Sequence, residues 1–333
     1  RGNRAGTRPL RKRRGKWGKG ERATLRPLRK RRGKGEKGKG GNGEMRTVLQ
    51  GGPCASAGGN GDRWAGWVVA GWLAVLAAVA YWPVIGNIVH QWSSDDNMAH
   101  GWFVPVIVGY IVWERREELE GARVERSGWG LGLLVASGVL ACLGALAAEI
   151  FTERVALVGT VAGLVWYLGG GEVMRRARFP LLLLCFALPL PGLLHKQITF
   201  PLQLLATRLA EWGLELTGRT VLREGNVLEL AGRMVSVVEA CSGIRALMAL
   251  LFFALAYAYL FHEKVWMRWA LAAAAVPVAI VANAGRVMAT ALLGEVDERL
   301  AEGFYHGMEG WVVFVAAMGM LIGVERVLRR WAR

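Results

Sequence analysis

The 333-residue sequence predicts an all-α polytopic membrane protein of about eight transmembrane helices, with a small extracytoplasmic insertion of one amphipathic helix and a β-hairpin. Three observations predict it. The 53% of hydrophobic residues gather into runs near membrane-spanning length, which an ordinary soluble domain does not show. Trp residues stand at run ends (Trp64, Trp82, Trp102, Trp113, Trp129, Trp266, Trp311), where amphipathic rings settle at a membrane interface. The Lys and Arg between the runs fall in alternate loops, and such loops set orientation.

Two parts are expected: a basic, Gly-rich disordered extension over 1–63 and a transmembrane domain over 64–333. The formal charge of +16 suggests nucleic-acid binding only until it is located. Residues 1–44 hold 18 Lys/Arg against 3 Asp/Glu, which leaves the remaining chain at +1. Within that stretch Arg8-Pro-Leu-Arg-Lys-Arg-Arg-Gly-Lys16 recurs as Arg26-Pro-Leu-Arg-Lys-Arg-Arg-Gly-Lys34. It has too little apolar surface to offset the entropy of ordering. The chain starts with Arg and its first Met is Met45, so a gene-model artefact over 1–44 stands beside a true extension. No nucleic-acid partner is expected. Four Cys, at 54, 142, 185 and 241, form no disulfide framework in a chain this long.

The apolar runs lie near 64–85, 100–113, 129–148, 155–171, 179–194, 243–261, 266–283 and 310–325. Basic residues follow the second run (Arg115, Arg116, Arg123, Arg126), the fourth (Arg175, Arg176, Arg178), the sixth (Lys264, Arg268) and the eighth (Arg326, Arg329, Arg330, Arg333). The other connections are poor in them, and Asp95 and Asp96 lie in the first. Both termini are therefore expected in the cytoplasm. The long outer connection, 192–240, begins with helical spacing over Ile198–Leu216, the pattern of a helix lying at an interface. Val221–Leu230 then reads as two strands about Gly225-Asn226, with a third over Met234–Val238.

This topology brings Cys241, Arg286 and His306 to the outer face. A thiol in the first turn of a helix feels the positive end of the dipole, which favours the thiolate. An imidazole can take the thiol proton and return it to a leaving amine, and a guanidinium can stabilise an oxyanion. Spacing alone does not choose His306 over His90, His100 or His195, whereas His262 falls on the cytoplasmic side. Cys142 and Cys185 lie inside apolar runs, as buried thiols do. Arg286 and Arg245 also suit interfacial side chains that reach toward water.

At these residues the sequence resembles the exosortase/archaeosortase family of multi-pass membrane cysteine enzymes. Ala240-Cys-Ser-Gly-Ile-Arg245 is similar to the family's nucleophile motif, Asn283-Ala-Gly-Arg286 to its arginine motif, and His306 with Gly310-Trp311 to its histidine motif. His100-Gly-Trp-Phe-Val-Pro105, Phe179-Pro-Leu, Leu188-Pro-Leu-Pro191 and Pro201-Leu-Gln203 resemble further blocks. The resemblance covers roughly 90–325. It implies a protease and transpeptidase acting on membrane-anchored proteins with a C-terminal sorting signal of PEP-CTERM type. By the same resemblance Cys241 is the nucleophile, His306 the acid/base and Arg286 the oxyanion or positioning group. Arg245 would orient the thiolate or accept a substrate carboxylate, with pairing to Glu239 the competing reading, and His100 and Asn283 would support the site. The acceptor is water or an amine. No cofactor or metal is expected, because the His and Cys lack ligand spacing. Two rival classes stand beside the enzyme: a multi-pass transporter, and a non-catalytic scaffold for envelope polysaccharide export.

Overall fold

The structure is a computed structural model and describes residues 60–230, 233–237, 243–296 and 304–331. The stretch 1–59, which holds Met45 and nearly all of the expected extension, lies outside the described residues. So does Cys241.

α1 (Asn60–Ala80) and α2 (Trp82–Ser94) form one apolar stretch bent by 67° near Tyr81. Pro83, in the first turn of α2, has no N–H to continue the helical ladder from α1. The Tyr81 hydroxyl fixes the bend by a 2.9 Å hydrogen bond with Thr160 Oγ1. A 3-10 turn, Asp96–Trp102, leads into α3 (Phe103–Glu114), and α4 (Arg116–Glu120) leads to α5 (Gly128–Ala147). Glu149 caps the start of α6 (Ile150–Leu183), its carboxylate accepting from the Thr152 N–H at 2.6 Å. The Thr152 hydroxyl also donates to it and is the main reason its carboxyl titrates below the ordinary range.

Among the described residues five helices are long and apolar enough to cross a membrane, or six if the bent α1–α2 pair counts as one span, against about eight expected. Two causes account for the difference. The second run is only the 12-residue α3, about 18 Å long. The fourth and fifth runs join into α6, which is kinked at Gly170 (φ 78) but otherwise continuous. Gly is required there, because a Cβ would collide with the Glu125 carbonyl. Arg175, Arg176 and Arg178, expected in a loop, therefore lie in the second half of α6. Arg176 bonds Glu172 one turn back, just past the non-helical Gly170, so the hydropathy break between the two runs coincides with the kink.

α7 (Gly192–Leu216) is followed by β1 (Val221–Glu224), β2 (Val227–Leu230) and β3 (Arg233–Ser236), an antiparallel three-stranded sheet of order β1-β2-β3. Val221 faces Leu230 and Leu228 faces Val235. α8 (Ile244–Phe261), α9 (Val265–Val296) and α10 (Phe304–Trp331) complete the chain. These three share a core of Leu250, Ala254, Ala258, Leu271, Ala275, Ala317 and Leu321. A second core joins α3, the end of α6 and α8 through Val104, Ile111, Leu183 and Phe252.

α9 changes the picture of the outer insertion. At 32 residues it is about 48 Å long, against a hydrocarbon core of about 30 Å. The seventh apolar run ends at 283, yet the helix continues to Val296. Its extension packs Val287 and Ala291 against Ala210 and Leu214 of α7, Leu228 and Leu230 of the sheet, and Val237 just after it. Arg219 to Glu295 at 2.7 Å and Arg223 to Glu211 at 2.6 Å lock the rim. One face of α7 thus packs on protein, where an interfacial helix would meet lipid; its Leu193, Phe200, Leu205 and Trp212 stay exposed.

The bundle has two electrostatically distinct ends. At one, the Arg115 and Arg268 guanidinia lie 5.3 and 4.8 Å from the Tyr259 ring, a cation–π arrangement. Glu325 pairs with Arg329 at 2.5 Å and lies 3.4 Å from His262 Nε2. The Arg123 N–H donates to Glu172 at 3.0 Å. The segments after the second, fourth and sixth runs and the end of α10 therefore meet there.

Candidate active site

The opposite end holds Gly243, Asn283 and Arg286. α8 starts at Gly243, whose φ of 81 lies in the left-handed region and whose carbonyl accepts the Leu247 N–H at 2.8 Å. The chain at Gly243 runs directly against Asn283 of α9: a Cβ at 243 would sit 2.8 Å from Asn283 Cγ. Only glycine meets both demands. Asn283 is 2% exposed, and Arg286, one turn further along α9, is 7% exposed. Gly243, Leu247, Ala279, Asn283, Leu202 and Ala206 line a cavity of about 10 Å³, roughly one water molecule in size.

Arg286, just past the end of the seventh apolar run, thus lies inside α9, next to the core that α9 shares with α7 and the sheet. The Thr290 hydroxyl donates to its carbonyl at 3.0 Å. His306 lies in the first turn of α10, and its side chain is outside the described ones. Cys241, outside the described residues, precedes Gly243 by two residues.

The early block reaches the same end. His100 is 5% exposed, and its ring centroid is 6.5 Å from that of Phe252. Neither ring nitrogen has a hydrogen-bond partner of good geometry among the described residues. Burial pushes the imidazole below its ordinary value of 6.5, against a weaker pull from the nearby Phe186 and Asn97 backbone. Gly101 leaves room for the Trp92 indole, with which a Cβ would collide. Trp92 Nε1 in turn donates to the Ala187 carbonyl at 2.9 Å. The blocks at 100–105 and 184–191 are therefore joined through Trp92, which the sequence motifs did not single out.

Arg245 is not limited to Glu239, the partner weighed from the sequence, which lies outside the described residues. Its Nη2 donates to Asp96 Oδ2 at 3.2 Å. Sequence reading noted Asp96 only as an acid in an outer connection; its one signal was a carboxylate pair just before the His100 block. His90 and His195 stand apart from this group, bonding within their own helices to Ser94 and Thr199. Among the described residues no cluster of His, Cys, Asp or Glu is placed to hold a metal.

A family model described as transmembrane exosortase matches residues 92–323. The chain belongs to the transmembrane exosortase family. No curated protein and no solved structure matches it. The span common to this exosortase and its family opens at Trp92, takes in the His100 block, α7, the sheet and all three motif segments, and closes within α10. α1 and most of α2 lie before it.

Proposed function

We propose that this exosortase is a membrane-embedded cysteine protease and transpeptidase that removes the C-terminal sorting tail of exported proteins near the outer membrane–water interface. Cys241 attacks the scissile carbonyl as a thiolate. Arg286 faces the oxyanion of the tetrahedral intermediate. His306 holds the thiol proton and returns it to the leaving amine. The acyl-enzyme is then resolved by water or by an acceptor amine, with no cofactor. His100, Asn283 and Arg245 support the site, and substrates are membrane-anchored proteins with a sorting signal of PEP-CTERM type.

The observation that carries this reading is the packing of Gly243 against Asn283. It ties the chain two residues beyond Cys241 to the helix that bears Arg286, and two residues span at most about 7 Å. The dipole of the 18-residue α8 favours a thiolate at its start. The orientation rests on the basic end: with Arg115, Arg176, Arg268 and Arg329 in the cytoplasm, both termini are cytoplasmic and the motif end faces outside. Eight crossings follow if α3 and each half of α6 are counted. The 3-10 turn and α3 together run alongside α8, since Asp96 meets Arg245 in the first turn of α8 and Arg115 meets Tyr259 in its last.

Cys241→Ala tests the assignment. Co-expressed with a protein ending in a sorting motif, an apolar helix and an Arg cluster, the variant should insert normally and leave the tail uncut. Undiminished processing would sink it, and would favour the transporter or scaffold.

A further inference from the structure

We infer that Asp96 is a positioning residue for the reaction, fixing the Arg245 guanidinium beside the nucleophile's segment. The inference rests on the functional reading above. Asp96 is about four-fifths exposed while the Arg245 side chain is about two-thirds buried. An ion pair with so exposed a carboxylate adds little to stability, so holding the fold together is a poor reason for it. Its effect is geometric.

A long guanidinium stem samples many rotamers, and the 3.2 Å bond to Asp96 Oδ2 selects one of them. In that rotamer Nη2 is engaged while Nε is buried with no hydrogen-bond partner among the described residues. A guanidinium carries five N–H donors in a fixed fork, so anchoring one edge aims the rest. Arg245 itself stands in the first turn of α8, four residues after Cys241 in the chain. Asp96 itself is held in place: the Asp95 side chain accepts the Asn97 N–H at 2.9 Å and starts the 3-10 turn, and His100, four residues on, seats that turn against Phe252. The pair thus fastens the early block to the start of α8 at its exposed edge, and His100 fastens it at the buried one.

The reaction consequence is a kcat effect. A guanidinium released from Asp96 still carries its charge but is no longer oriented, and misplacement of about 1 Å can cost about 100-fold in rate. Full-length protein in detergent micelles, with a purified tail-bearing substrate at varied concentration, provides the measurement. Asp96→Asn should lower kcat about three- to fivefold with KM changed less than about twofold, and leave the melting temperature within about 2 °C. Asp96→Glu should recover most of the rate. The exchanged pair Asp96→Arg with Arg245→Asp should stay slow, because it restores the bridge but moves the cation. Overturning results are an Asp96→Asn rate within twofold of wild type, a loss of rate matched by a large fall in melting temperature and not recovered by Asp96→Glu, or full recovery in the exchanged pair, which would make the bridge a plain tether. Cys241→Ala, run alongside, separates the two readings: its failure to stop cleavage removes the protease assignment, whereas loss with Cys241→Ala and none with Asp96→Asn removes only this inference.

Discussion

At residue scale, the position most tightly constrained by its surroundings is Gly243. Its left-handed backbone and its contact with Asn283 leave no place for a side chain. Gly243→Ala should destabilise the protein by about 1–3 kcal/mol and depress cleavage further, since the adjustment falls beside Cys241. Thermal melting and cleavage measured together check this, and an unchanged pair of values would contradict it. The two imidazoles have separable roles. His306→Ala should abolish cleavage, whereas His100→Gln should retain part of it; loss with His100 alone would reverse the assignment. His100 also predicts a pH dependence. Its pKa is lowered in the folded protein, mainly by burial, so the unfolded chain takes up a proton first as pH falls through about 6.5. The stability present above that pH is therefore lost on acidification. His262, also lowered chiefly by burial, acts with the same sign. Melting temperature should fall from pH 7 to pH 5, and fall less in His100→Gln.

At the scale of elements, the extension of α9 past its apolar run is the surface on which α7 and the sheet pack. Hydropathy ends the seventh run at 283 because Asn283, Arg286 and the acids beyond it interrupt the apolar sequence. The helix persists because α7 and the sheet supply it with a partner surface around Val287 and Ala291. Leu228, fully buried there, links the insertion to the helix that carries Arg286. Leu228→Ala should cost about 2–5 kcal/mol and reduce cleavage, though residue 228 lies in a strand outside the motifs. Wild-type activity in that variant would show that the insertion does not support the site. The kink of α6 obeys a related rule, for charges inside a helix are tolerated where a neighbour one turn away pairs with them, as Glu172 does for Arg176.

For the whole molecule, the separation of a basic end from the motif end gives a topological prediction. Reporter fusions or cysteine labelling should place residue 121, between α4 and α5, in the cytoplasm and residue 225, in the hairpin, outside. Labelling of both from the same side would reverse the orientation or break it. The same separation accounts for the net charge. The +16 belongs almost entirely to residues 1–44, and the near-neutral remainder divides its cations between the basic end and acid-paired sites such as Arg219–Glu295, Arg223–Glu211 and Arg245–Asp96.

Much of this was legible in the sequence. Apolar runs follow from transfer energies of single side chains, and these do not depend on which helix packs on which. The three-stranded insertion was legible too, because turn chemistry and alternation are local. Tertiary structure decided the rest. It made α3 a short helix beside α8, set the kink of α6 at Gly170 against Glu125, extended α9 past its apolar run, and set Asp96 on Arg245. Each depends on a partner distant in the chain, Asp96 and Arg245 being 149 residues apart. Hydropathy registers the solvent a segment prefers; it does not register the protein surface that replaces that solvent.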